Sequence, residues 1–281
     1  MTPPRRLIIN ADDFGLSAAV NRGILEAHRA GTVTSTSLLA NAPGFEDAVR
    51  RAREVPSLGI GLHLNLTEGG PVSSPEAVPT LCDARTGRFY GLAGLVVRVL
   101  AGRVRAEDLA RECAAQIERL RQHGIAITHM DGHHHTHVLP GVWGPAIDAA
   151  RAAGIRAVRV PLEPVRSLSW RPTAALGEAG IAVSYRLASR GTPPLSHPDH
   201  FRGFALTGRQ DFLPRLLDIL DALAPGVTEL MVHPGYWDAG EGSWGGPLTR
   251  ERERELAALT SESVQARLRG NAVDLADFSV F

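Results

Sequence analysis

At 281 residues, with 44% apolar and 21% charged side chains, the chain is large and apolar enough to bury a substantial core, which excludes a disordered or low-complexity protein. Thirty basic residues balance thirty acidic ones, so no global field draws it toward nucleic acid or an anionic membrane. The two cysteines, Cys82 and Cys113, argue against a disulfide framework or a cysteine-based zinc site and fit a reducing, cytoplasmic setting.

The apolar run after Arg5 and Arg6 is too short for a signal peptide, and no segment approaches the ~20 residues of a membrane span. "RRLIINA" (5–11) predicts a strand. A helix follows over 17–31, with Ser17 as N-cap and Gly31 just past its end. The next strand covers 32–41, a helix 44–55 and a third strand 58–66. A Gly/Pro-rich excursion from Thr67 to about Gly94 reads as loop. Leu109, Cys113, Ile117 and Leu120 line one face of a helix over 106–124. A strand at 125–131, a helix at 145–153 and a strand at 155–161 come next. Residues 162–207 read as irregular, although "IAVSYRL" within them fits a strand or a helix equally. The chain closes with a helix over 209–223, a strand over 227–235 and a helical stretch over 249–269 that breaks near Thr260. Strands alternating with helices and no linker predict one α/β domain spanning 1–281, a (β/α) barrel that is irregular or incomplete, with a doubly wound open sheet as the alternative.

Five of the eleven histidines fall within nine positions, in "HMDGHHHTH" (129–137). Other polar residues of interest also sit in or just after predicted strands: Asp12 and Asp13 after "LIINA", His63 within "GLHLNL" and His233 after "TELMV". A parallel barrel gathers such residues on the face at its strands' C-terminal ends. A carboxylate with two imidazoles is a ligand set for a divalent cation that leaves positions open for water and substrate. Asp12 and Asp13, if extended, point opposite ways, so one can bind a metal while the other serves as general base. Each feature also has a purely structural reading: a helix cap at Asp12-Asp13, a core histidine at His63, a solvated loop at 133–137 and a strand-to-turn transition at His233. Strand parity puts Asp131, His133 and His135 on one face and does not choose between them.

The four motifs "NADDFGLS", "GLHLNLT", "THMDGHHHTH" and "MVHPG", in this order, resemble the YdjC-like carbohydrate deacetylases, a family that includes the enzyme deacetylating chitooligosaccharides. The resemblance runs from residue 6 into the C-terminal region and implies a (β/α) barrel related to the polysaccharide deacetylases. It implies Asp13, His63 and His133 as metal ligands, Asp12 as general base and His233, as imidazolium, as general acid. His135 and His137 are expected behind the ligands or along the substrate groove, as is Asp131. The implied reaction is metal-assisted hydrolysis of an N-acetyl group on an amino sugar, and the implied assembly a homodimer.

Tyr236, Trp237 and Trp244, in "PGYWDAGEGSWGG" (234–246), offer aromatic faces suited to pyranose rings. The stretch 186–208 carries His197, His200 and several arginines and reads as a lid, a dimer contact or a determinant for a phosphorylated or acidic sugar. The donor set admits magnesium, zinc, manganese, iron or cobalt. Three other functions share these residues: deacetylation of an N-acetylglucosaminyl lipid of the hopanoid type, a metal-dependent phosphoesterase, and a silent sugar- or metal-binding protein. Asp12 and His233 together argue against the last, since binding needs neither acid nor base.

Overall fold

The computed structural model describes residues 4–164, 172–237, 244, 250–271 and 273–281. Strand β1 (Arg5–Phe14) runs through the middle of a curled sheet. On one side follow β2 (Ser35–Leu38), β3 (Gly59–Leu64), β4 (Ile127–Gly132) and β5 (Ala157–Val158); on the other lie β7 (Gly226–Val232) and β6 (His200–Arg202). Every pair is parallel, and the short β8 (Asp274–Leu275) pairs with the first half of β1. The two ends of the sheet come round to each other just before β6. Val158 N–H donates to Ser196 O (2.9 Å) and Ser196 N–H donates to Arg156 O (3.1 Å). The architecture is therefore an irregular parallel (β/α) barrel and not an open doubly wound sheet.

Strand parity decides what each face carries. Leu7, Ile9 and Ala11 of β1, Ile60, Leu62 and Leu64 of β3, Met130, Val158, Leu230 and Val232 belong to the main apolar core, where the helices cover the sheet. The alternate positions face inward. Low in the barrel they are Ile8 and Ala157, closed off by Phe278 of the C-terminal segment. Above them lie charged and hydrogen-bonding side chains in place of the branched apolar layers usual in such barrels. On β3 the inward positions are Gly59, Gly61 and His63. A Cβ on Gly59 would stand 2.7 Å from the Asp277 carboxylate, and one on Gly61 would overlap the His129 ring. Glycine there makes room for other elements' side chains inside the barrel.

The helices are α1 (Ala18–Arg29), α2 (Phe45–Ala52), α3 (Gly91–Leu100), α4 (Ala106–Gln122), α5 (Trp143–Ala152), α6 (Pro172–Ala188), α7 (Phe212–Asp221), α8 (Arg250–Leu259) and α9 (Glu262–Gly270). Ser17 caps α1, its Oγ accepting from Val20 N–H at 3.1 Å, and the chain breaks between α8 and α9 around Thr260 as expected. Three expectations need correction. Helix α3 begins inside the Gly-rich excursion read as loop. Residues 162–207 contain α6, which settles "IAVSYRL" as helix, and β6, although 165–171 lie outside the described residues. Strand β1 runs on through Asp12 and Asp13 to Phe14. Cys82 and Cys113 are both free and buried, and no helix among the described residues is long and apolar enough to cross a membrane.

Helix α1 packs backbone to backbone on the turn after β7: a Cβ on Gly23 would lie 2.6 Å from Gly235 Cα. Replacing Gly23 by alanine should therefore destabilise the protein by about 1–3 kcal/mol, although alanine favours a helix intrinsically. The denaturant midpoint measures this, and an unchanged or raised midpoint would contradict the close packing.

Candidate active site

Three donor atoms from three strand ends converge. Asp13 Oδ1 lies 3.1 Å from His133 Nδ1 and 3.4 Å from His63 Nε2, and the two ring nitrogens are 3.3 Å apart. All three residues are buried. Ligands held about 2.0–2.2 Å from one cation stand roughly 3.0–3.5 Å apart at octahedral or tetrahedral angles. Asp13 Oδ1 has no hydrogen-bond partner, so a buried carboxylate oxygen is left aimed at the common point. This donor set fits a divalent cation with open positions.

Local backbone explains how adjacent aspartates both reach this point. The β1–β2 register shifts between Ala11 and Phe14, and Asp13 adopts a left-handed φ of 70°. The expected opposite orientation of Asp12 and Asp13 therefore does not hold. Carboxylates of both lie within 4.8 Å of His63 donor atoms. Parity fails again beyond Gly132, where the chain leaves β4 for a tight turn over His133–Val138 with φ of 54° at His134 and His135. That turn sends His133 to the donor triangle with Asp13 and His63. It packs His135 against Phe201 and Phe204, and it aims His137 Nε2 at Arg159 O (3.1 Å).

Strand pairing sets His63. His63 and Asp131 are partners across β3 and β4, and His63 Nδ1–H donates to Asp131 Oδ1 at 2.7 Å, leaving Nε2 turned inward. Burial alone would push this imidazole down, yet the Asp131 and Asp13 carboxylates raise it to about 10. His133 is also raised despite its burial, chiefly by Asp13. Asp13 is held well below the usual carboxylate range, because Arg252 and His133 outweigh its burial.

Two arginines complete the site. Arg159, just beyond β5, donates to both Asp12 oxygens (2.7 and 2.6 Å) and to Glu229 Oε1 (2.7 Å), and lies 2.9 Å from Asp131 Oδ2. Arg252 of α8 donates to Asp13 Oδ2 at 2.6 Å. Asp12 also accepts from Asn10 Nδ2 at 2.8 Å. His233 follows β7 directly; its backbone N–H donates to Glu255 Oε2 (2.6 Å) and its Nδ1 is buried without a partner. Burial lowers its imidazole to about 4 against the pull of Asp12 and Asp13, so it is neutral at rest rather than the expected imidazolium.

Arg159, Arg252, Glu229, Asn10 and Glu255 were not anticipated. "IRAVRVP" held a signal, an arginine at the end of an otherwise apolar strand; Arg252 sits in the charge-rich "RERERE" and carries none. Tyr236 turns to α1, where its hydroxyl donates to Glu26 (2.6 Å) beneath the Arg22 guanidinium, and Trp237 is exposed. Trp244 lies against Gly69, in the loop after β3, while the rest of 238–249 is outside the described residues. His197 and His200 contact the backbone carbonyls of Pro198 and Pro225.

The sequence profile of YdjC-like proteins matches residues 6–270. The chain belongs to the YdjC-like family. It is 36% identical over 279 residues to the carbohydrate deacetylase of Geobacillus stearothermophilus, covering 99% of this chain and 98% of that one. It is 37% identical over 296 residues to the carbohydrate deacetylase of Homo sapiens, covering 98% and 91%. Among solved structures, an Enterococcus faecalis protein described as a candidate for cellobiose-phosphate cleavage shares 29% identity with a TM-score of 0.78, over 99% of this chain and 98% of that one.

Replacing Arg159 by methionine, similar in length but uncharged, would strand Asp12, Asp131 and Glu229 without their common cation. The expected cost is about 3–5 kcal/mol in chemical denaturation. A loss below about 1 kcal/mol would show that Arg159 does not hold the interior together.

Proposed function

We propose that this member of the YdjC-like family is a metal-dependent carbohydrate N-deacetylase. It takes the acetyl group from an amino sugar or short oligosaccharide of the chitooligosaccharide type and releases acetate. One observation carries the reading: three convergent donors able to hold a cation, Asp13, His63 and His133, stand beside a second carboxylate, Asp12, and the part-buried His233 on one barrel face. Full-length relatives named carbohydrate deacetylase support the choice of substrate over a phosphoester or a lipid.

Asp13 Oδ1, His63 Nε2 and His133 Nδ1 would hold the cation, with magnesium, zinc, manganese, iron and cobalt all suited to the donors. When bound, it supplies Lewis acidity toward the acetyl carbonyl and lowers the pKa of water. Asp12 acts as general base, taking a proton from the attacking water as the new C–O bond forms. Both its oxygens are already fixed by Arg159, which sets the carboxylate's orientation before substrate arrives. His233 protonates the departing nitrogen as the C–N bond breaks, because an amide nitrogen leaves poorly as an anion. Since His233 is neutral at rest, it takes a proton from solvent before the C–N bond breaks, and Asp12 returns the water's proton to solvent as acetate leaves. Asp131 and His137 orient neighbouring groups, and His135 packs beside them. Trp244 and the exposed Trp237 are the aromatic faces offered to a sugar, while Tyr236 anchors their segment on α1. The proposal takes the whole chain as one catalytic domain. It keeps a cytoplasmic setting, supported by the two buried free cysteines, and a homodimer, supported by the family resemblance.

Purified protein given N-acetylated chitooligosaccharides should release acetate, lose the activity to a chelator and regain it on metal addition, with no phosphate released from phosphoesters. A folded, metal-loaded protein that yields no acetate would overturn the substrate class. His233→Ala should lower turnover about 10²–10⁴-fold while metal content stays intact. If instead the variant loses its metal, His233 is a ligand and not the acid.

A further inference from the structure

We propose that Glu68 is the outer partner of His133, accepting its Nε2–H and thereby fixing the ring with Nδ1 toward the cation. The inference rests on the metal centre proposed above. The other two ligands already have such partners: Arg252 holds Asp13 through Oδ2, and Asp131 holds His63 through Nδ1. With Nδ1 of His133 in the triangle, the neutral ring carries its proton on Nε2. That nitrogen is buried and makes no hydrogen bond, and Glu68 Oε1 stands 3.7 Å from it. This is about 0.8 Å beyond a charge-assisted hydrogen bond, a gap that a small side-chain rotation closes.

The loop that carries Glu68 is built with unusual stringency. Asn65 Oδ1 accepts from Thr67 N–H (2.9 Å) and Glu68 N–H (3.0 Å). Glu68 O accepts in turn from Asn65 Nδ2 (2.9 Å) and Asn41 Nδ2 (3.2 Å). Gln116 of α4 grips the Asn65 backbone from both sides, accepting from its N–H (3.1 Å) and donating to its carbonyl (2.7 Å). Asn65 and Gln116 are completely buried. A carboxylate on such a support makes a histidine ligand more basic and restricts its rotation, so its loss weakens metal binding without removing a ligand.

The same nitrogen admits a competing use, because Glu68, His133 and His134 also group closely enough to hold a second cation. Apo-protein, the isosteric Glu68→Gln variant and Glu68→Ala are titrated with cobalt(II) against a chromophoric chelator, and the visible cobalt bands are recorded. One cobalt per chain is expected, bound about 10-fold more weakly in Glu68→Gln and up to about 100-fold more weakly in Glu68→Ala. The bands should shift in both variants while the melting temperatures of the apo-proteins stay together. Wild-type affinity and bands in both variants would overturn the role of Glu68. Two cobalt ions per wild-type chain, one of them lost on substitution, would also overturn it by making Glu68 a ligand. Wild-type protein that binds no cobalt would instead bring down the metal centre itself.

Discussion

Arg159 places one fully buried guanidinium among Asp12, Asp131 and Glu229, and so joins the ends of β1, β4, β5 and β7 through the inside of the barrel. Stability alone does not call for such an arrangement, since apolar side chains of similar volume fill an interior as well or better. What it provides is position. Charge-assisted bonds to both Asp12 oxygens fix that carboxylate in orientation and not only in place. The same cation also faces Asp131, whose other oxygen holds His63. The Asp12 carboxylate and, through Asp131, the His63 ring are thus oriented by one buried group.

Space for this hub comes from the strands themselves. Glycines at 59 and 61 on β3 leave the lower barrel to Asp277 and His129, and Phe278 closes the bottom. His63, two residues further along the same inward row, then stands at the top, where its ring meets the cation triangle. Asp13 gets there by a different route. A register shift and a left-handed φ turn a residue that regular alternation would direct outward. Two neighbouring carboxylates consequently serve one site, Asp12 bound to Arg159 and Asp13 to Arg252.

Much of this was legible in the sequence because strand-end chemistry leaves compact marks. "LIINADD", "GLHLNL" and "TELMVH" each join an apolar run to a polar residue, and all three runs are strands of the one sheet. Alternation failed where backbone departs from extended geometry, at Asp13 and at His134–His135, because a positive φ is invisible in residue identity when glycine is not used. Helix α3 was hidden by the glycines at both its start and its first turn, and α6 by small residues that give it a weak apolar face. Arg159 was overlooked for a different reason: its partners lie 147, 28 and 70 positions away, and only the closed sheet brings them together. The signal for it was the chemical oddity of an arginine in a strand, which has meaning only once the barrel interior is known to be charged.

The same interior distinguishes the histidines by their surroundings. Burial drives His129 and His137 down to about 4 and His135 well below the usual range, and desolvation lowers the part-buried His233 to about 4 as well. His63 and His133 are raised although they too are buried, His63 chiefly by Asp131 and then Asp13, and His133 chiefly by Asp13. Asp12, Asp13, Asp131 and Glu229 bring four carboxyl groups, Glu229 raised to about 7 by its burial, against the two guanidiniums of Arg159 and Arg252, so acidic groups outnumber basic ones at the centre. A proton on the imidazoles or a cation between them would offset part of that excess. A divalent ion displaces the proton and satisfies all three donor atoms at once, whereas a proton satisfies only one pair. The excess of acidic groups and the three convergent donor atoms thus suit a divalent cation.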